Sequence, residues 1–178
     1  MTEVVVRVSD AWLRLREPAD AHARSGGLAR LVGFGLGTVD GPLVVHDLGS
    51  GNGSMGRWLA PRIHGPQHWV LHDRDPDLLA VALDSVPTAA ADGSPVTVEA
   101  RLGDLVRVRD EDLAGASLVT ASALLDVLTA HEVDSLVRRC VAAGCPTLLT
   151  LSVIGRVRLS PLDSLDPWLA AAFDEHQR

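Results

Sequence analysis

The sequence of 178 residues contains no lysine; all 16 of its basic residues are arginine, a composition bias that carries no mechanism of its own. Cysteine is nearly absent. Cys140 and Cys145 have no His or Cys partner at zinc-ligand spacing, which argues against a zinc module and reads as two free cytosolic thiols. Although 47% of the residues are hydrophobic, no apolar run approaches the roughly 20 residues of a helical membrane span. The opening MTEVVVRVSD lacks the basic start and small-residue cleavage site of a secretory leader, so a cytoplasmic location is expected. Positive charge is scarce as well. A net charge of -7 disfavours a broad nucleic-acid footprint, which needs a clustered cationic face. No internal repeat or low-complexity tract breaks the chain, and its length fits one domain with its own core.

What is present is alternation. From Leu43 onward, β-branched runs alternate with helical patterns at intervals of about 25 residues. LVVHD (43–47) reads as a strand and SMGRWLAPR as a helix ending near Pro61. HWVLHD (68–73) is a second strand, followed by a helix that Asp75-Pro76 opens, with Leu78, Leu79, Ala82 and Leu83 as its apolar face. PVTVEARLGD and ASLVTASAL supply the third and fourth strands. Thr129 and Glu132 then form a capping-box pattern ahead of Val133, Leu136, Val137, Cys140 and Val141, and Gly144 ends that helix. The nearly all-apolar PTLLTLSVI (146–154) predicts a fifth strand buried on both faces, and Asp166-Pro167 opens a last helix. Such alternation predicts right-handed βαβ units in an α/β, three-layer doubly wound, mostly parallel sheet. Residues 1–42 read as a helical cap, broken at Pro18 and Gly26-Gly27, plus the glycine-rich linker GFGLGTVDGP. Residues 43–178 read as the core.

The stretch VVHDLGSGNGSMG (44–56) carries the chemistry. Gly51-x-Gly53-x-x-Gly56 matches a dinucleotide fingerprint, yet Asp47 stands two residues before Gly49. A pyrophosphate carries negative charge, and at about 4 Å and an effective dielectric of about 20 a unit-charge pair is worth roughly 4 kcal/mol, here repulsive. S-adenosylmethionine inverts that sign with its sulfonium and ammonium groups, so an acid at the mouth of the turn favours it. HDLGSGNGS resembles the first motif of class I S-adenosylmethionine-dependent methyltransferases: an acid, one residue, then Gly-x-Gly-x-Gly, here Asp47, Gly49, Gly51 and Gly53 with Ser50 between.

The resemblance continues in order from Leu43 to about Gly155. VLHDRDPDLL resembles the second-strand motif and implies that Asp73, with Arg74 beside it, holds the ribose hydroxyls. RLGDL implies that Gly103, Asp104 and Leu105 border the adenine, with Asp104 on its amine. SLVTASALLDVL implies that Thr120, Ala121 and Ser122 lie at the mouth beside the methyl donor. The resemblance therefore implies a Rossmann-like methyltransferase fold, S-adenosyl-L-methionine as cofactor and S-adenosyl-L-homocysteine as product.

Each residue also has a structural reading. Asp73 could start the following helix, Asp104 could be a loop acid, and Asp126 is as compatible with structure as with function. His46 and His72 read as satisfied core histidines, and Trp12 and Trp58 as packing residues. No residue stands out as a general base, and no metal site is expected. Positioning carries much of such a displacement, on the order of 7–11 kcal/mol. TASALLD lacks the Asn/Asp-Pro-Pro-aromatic signature used on planar amines, so a small-molecule acceptor is the default. The resembled fold also has two further strands, a hairpin beside the fifth. Its absence here predicts an exposed apolar edge, resolved by a longer parent chain (the preferred reading), by a partner such as a homodimer, or by a short variant with altered function. Two other functions stay open. One is a non-catalytic methyltransferase-like module that pairs through the fifth-strand edge. The other is an NAD-dependent oxidoreductase, since Asp73 lies about 20 residues beyond the glycines.

Overall fold

Side-chain caps mark where four of the described helices begin. Ser9 accepts the Trp12 N–H to start α1 (Asp10–Ala23), and Ser25 accepts the Leu28 N–H to start α2 (Gly26–Gly35). Asp75 accepts from Asp77 and Leu78 at the head of α4 (Pro76–Ser85), and the Thr129–Glu132 capping box opens α5 (Ala130–Ala143). Gly144, at φ 68°, closes α5 in the left-handed conformation that glycine adopts without penalty. These elements, with α3 (Ser54–Leu59) and α6 (Asp166–His176), come from a computed structural model that describes residues 8–36, 41–151 and 160–176.

The strands are β1 (Leu43–Leu48), β2 (Gln67–Asp73), β3 (Val96–Leu102), β4 (Leu118–Ser122) and β5 (Thr147–Thr150). They form one sheet in the order β3-β2-β1-β4-β5, and every pairing is parallel. The order reverses at β1, where β2 lies on one side and β4 on the other, so the carboxyl end of β1 is the switch point at which such sheets take ligands. Alternation along β1 sends Leu43 and Val45 into a core shared with Met55, Trp58, Leu59, Leu79 and Ala82. Leu48 and the β4 residues Val119 and Ala121 face Leu113, Leu124 and Leu136 on the opposite side. The expected three-layer, doubly wound architecture is the one observed. No helix among the described residues is long and apolar enough to cross a membrane.

Several local expectations are corrected. Pro18 lies inside α1 and does not break it. The residue is exposed, so water meets the carbonyl that loses its donor, and the Arg14–Asp10 and Arg16–Asp20 ion pairs support the same helix. Residues 33–35 of the expected linker belong to α2, while 37–40 lie outside the described residues. Leu83 is 42% exposed, since the α4 face that packs is Leu78, Leu79 and Ala82. The fifth strand is described only over Thr147–Thr150, and residues 152–154 of the expected run lie outside the described residues. It is not buried on both faces: Leu148 is covered but Leu149 is 39% exposed, because β5 ends the sheet. The α5 stripe is likewise half covered, with Leu136 buried and Val141 75% exposed.

Gly53 joins the turn after β1 to α4. Its φ is 86°, and a Cβ there would stand 3.1 Å from the Ala82 Cβ and 3.2 Å from its Cα. Gly53→Ala therefore combines a left-handed backbone, which costs about 1–2 kcal/mol, with a clash against a helix backbone. Denaturant unfolding is expected to show a loss of about 2–4 kcal/mol.

Candidate functional site

The turn beyond β1 is built on left-handed glycines and stitched to the end of β2. Gly49, Gly51 and Gly53 have φ of 66°, 54° and 86°. The Ser50 N–H donates to the His72 carbonyl at 3.0 Å, and the Gly51 N–H donates to Asp73 Oδ2 at 2.8 Å. Asp73 Oδ1 accepts the Asp75 N–H at 2.9 Å, so this carboxylate holds both the glycine turn and the approach to α4. Each oxygen retains a further lone pair. Gly103, after β3, donates to the Asp73 carbonyl at 2.9 Å and brings the third strand end alongside.

Beneath the turn lies Asp47. It is 1% exposed, not at the rim as its place in the motif suggests. Thr120 Oγ1 donates to Asp47 Oδ1 at 2.8 Å, from the residue paired with Asp47 in the β1–β4 register. Oδ2 has no hydrogen-bond partner among the described residues. Burial pushes the carboxyl up to about 7, against the opposing pull of the Thr120 hydrogen bond and the Arg24 charge. Ser50 Oγ and Arg24 Nε are buried without partners too. Unsatisfied buried polar atoms are rare and costly, and three of them belong to residues at the switch point.

Arg24 was not foreseen from sequence. Its guanidinium donates to the Ser54 carbonyl, Ser54 Oγ and Ser122 Oγ, each at 3.0 Å, and lies over the Trp58 ring at 5.6 Å. Thr150 Oγ1 donates in turn to Ser122 Oγ at 3.0 Å. The rest of α1 also lies over the turn. Asn52 donates to Asp10 at 2.9 Å, and Arg57 grips Glu17 through two bonds of 2.8 and 2.6 Å. The Leu13 Cδ1 atom would be 3.3 Å from a Cβ at Gly51. No local motif announces these contacts; only the tertiary fold brings partners 30 to 98 residues apart together.

The remaining expected residues are distributed unevenly. Asp104 is exposed and caps its own loop by accepting the Val106 N–H at 3.0 Å. Leu105 Cδ1 lies 3.6 Å from the Cβ position of Gly49. Arg74 is exposed, and Ala121 is buried in the α5-side core rather than beside Asp47. Asp126 is exposed. Trp58 packs as expected at 7% exposure, but Trp12 does not: it is 55% exposed, since α1 turns Leu13 toward the turn. Cys140 and Cys145 are free, with both thiols pushed up by burial. Between the α1–α2 junction and the ends of β4 and β5 opens a cleft of about 180 Å³, lined by Arg24, Ser25, Leu28, Ser122, Thr150 and Leu151 among others.

No protein-family model matches the chain, and no curated protein matches it in sequence. Solved structures do match it. A protein from Methanococcus maripaludis assigned to the S-adenosylmethionine-dependent methyltransferases superimposes with a TM-score of 0.57 at 16% identity, over 85% of this chain and 67% of that one. The chain has the fold of these methyltransferases. Magnesium protoporphyrin IX methyltransferase from Synechocystis, solved with S-adenosylhomocysteine, gives 0.49 at 15% identity over 95% of this chain and 78% of that one. A phosphoethanolamine N-methyltransferase from Haemonchus contortus gives 0.47 at 13% identity, over 88% of this chain but only 38% of its own length.

His46 and His72 lie on the other face of the sheet from Asp47. Their Nδ1 and Nε2 atoms are 2.9 Å apart, the rings stack at 5.2 Å, and they are 3% and 5% exposed, as expected of satisfied core histidines. Burial, reinforced at His46 by the Arg101 charge and at His72 by His46 and then Arg101, holds both imidazoles down at about 4. A folded value below the unfolded value of about 6.5 contributes stability above that pH, lost as pH falls from 6.5 toward 4. Ring NMR is expected to find both neutral at about pH 5.5. Either ring titrating near 6.5 would contradict the buried pair.

Proposed function

We propose that this chain is a cytoplasmic methyltransferase that uses S-adenosyl-L-methionine to methylate a small-molecule acceptor. The observation that carries the reading is the partnerless Oδ2 of Asp47, buried beneath a left-handed glycine turn at the switch point of a methyltransferase fold. A buried carboxylate oxygen without a donor calls for a cation or an N–H. The donor's ammonium fits that need, and Ser50 Oγ is a second buried polar atom of the turn without a partner among the described residues. When bound, S-adenosylmethionine supplies a methyl carbon already activated by its sulfonium.

The residues of this chain do the rest. Gly49 and Gly51 keep the backbone bare where the donor crosses it, and the free lone pairs of Asp73 accept the ribose hydroxyls. Gly103, Asp104 and Leu105 border the adenine, with Asp104 turning from its loop bond to the exocyclic amine. Arg74 flanks the ribose, and Thr120 and Ser122 form the floor on the β4 side, with Ala121 packed into the opposite face of the sheet. Residues 1–42 act as the cap: α1, held by Glu17–Arg57 and Asp10–Asn52, opens to admit the donor and closes to exclude water. The cleft of about 180 Å³ beside Ser122 suits an acceptor of modest size. Catalysis rests on positioning rather than on a general base.

Burial of Asp47 changes how selectivity arises. Near pH 7 the free carboxyl is partly protonated, so the site does not present a fixed negative charge. Asp47 would release its proton to solvent beside a cationic donor and would stay protonated beside a pyrophosphate. Donor affinity is therefore expected to rise up to about tenfold per pH unit between roughly 5 and 7, then level off. Calorimetric titrations with S-adenosylmethionine and with NAD check this, and Asp47→Asn is expected to bind the donor weakly with no pH slope. Binding of NAD alone, or tightening on acidification, would end the reading. Separately, Asp73→Ala is expected to weaken S-adenosylhomocysteine binding by about 1–3 kcal/mol, as for lost charge-assisted hydrogen bonds. Unchanged affinity would remove Asp73 from the site.

A further inference from the structure

The two edges of the sheet are finished in opposite ways. At β3, Glu99 and Arg101 pair at 3.0 Å on exposed side chains, and Thr97 bonds His68 at 2.9 Å beside them. Charged residues on an edge strand oppose pairing with another chain. Among the described residues the β5 edge, Thr147–Thr150, carries no charged side chain. Leu149 and the following Leu151 are 39% and 49% exposed, and among the described residues β5 pairs with β4 alone. Beside it, α2 turns Leu28, Leu31 and Phe34 outward at 50%, 66% and 84% exposure. A groove of about 450 Å³ runs between helix and strand, lined by Val32, Pro146 and Leu148 as well. Across α2 and residues 146–151 the only charged residue is Arg30, and there is no acid.

We propose that this face docks a second copy of the chain, the outer edges of the two β5 strands pairing antiparallel about a two-fold axis with the α2 helices packed over the seam. Identical strand edges are self-complementary in that arrangement, so the assembly closes at two copies and leaves no new edge at the joint. Charge selects the same face. Each copy carries a net charge of -7 and repels another over most of its surface, but this patch contributes no negative charge. Area is sufficient as well. The five outward side chains expose on the order of 500 Å² per copy, at the upper end for a monomer's apolar patch. Two copies then bury on the order of 1,000 Å², the threshold of a specific interface. The proposal depends on the fold alone, so it stands or falls independently of donor binding.

Sedimentation velocity and light scattering on the full chain test it across roughly 1 to 100 μM, a range that brackets a modest interface of this size. The expected result is a concentration-dependent dimer, with Leu149→Lys and Phe34→Asp each raising the dissociation constant at least tenfold. Both positions are exposed, and circular dichroism melts verify that each variant folds. Loss of the dimer in either folded variant supports the interface. A wild type that stays monomeric throughout, its edge covered by its own chain or by nothing, overturns it. So does a dimer that both variants leave unchanged.

Discussion

A carboxylate held inside the protein with one oxygen satisfied and the other not is the constraint on which the site depends. Thr120 fixes Asp47 from the neighbouring strand, and the parallel register of β1 and β4 makes that contact inevitable once the sheet forms. The second oxygen faces no donor, and burial holds the group near neutrality. Such an arrangement costs stability in the free protein; protonation relieves part of that cost, and a bound cation, as proposed, would relieve it further. The glycine turn above it is fastened to Asp73, so the elements proposed to grip opposite ends of the donor are mechanically one piece. The switch in strand order puts that piece at the sheet's carboxyl end, where two strands diverge and leave room.

Much of this was legible in the sequence because the signals are local. Asp75-Pro76, the Thr129–Glu132 pair and Gly144 each act within one helical turn, and each does in the structure what its chemistry implies. The order of acids and glycines at successive strand ends is local as well. What was not legible is long-range. Arg24 meets Ser122 across 98 positions, and no pattern in either stretch announces the partner. The depth of Asp47 was misjudged for the same reason: a motif specifies a backbone turn, whereas burial is decided by what the rest of the chain lays over it. Pro18 shows the converse, a strong local signal overridden because its cost at an exposed position is small and neighbouring ion pairs offset it.

The two faces of the sheet divide the labour. Around Asp47 the polar groups are incompletely satisfied and α1 covers them through ion pairs and hydrogen bonds rather than a deep apolar seam. Polar latches of this kind open at lower cost than packed cores. On the opposite face the buried histidines satisfy each other, and the surrounding Leu48, Leu113 and Leu136 form an apolar layer. Rigidity behind and adjustability in front suit the donor site proposed for this turn.

The central claim is that the buried carboxyl of Asp47 receives the cationic end of a donor. Its most direct test is the carboxyl carbon resonance of Asp47 followed against pH, in the free chain and with S-adenosylmethionine. A midpoint near 7 in the free chain, falling well below that value when the donor is added, is the predicted result. A midpoint that the donor leaves unmoved, or an ordinary value near 4 in the free chain, would contradict the account.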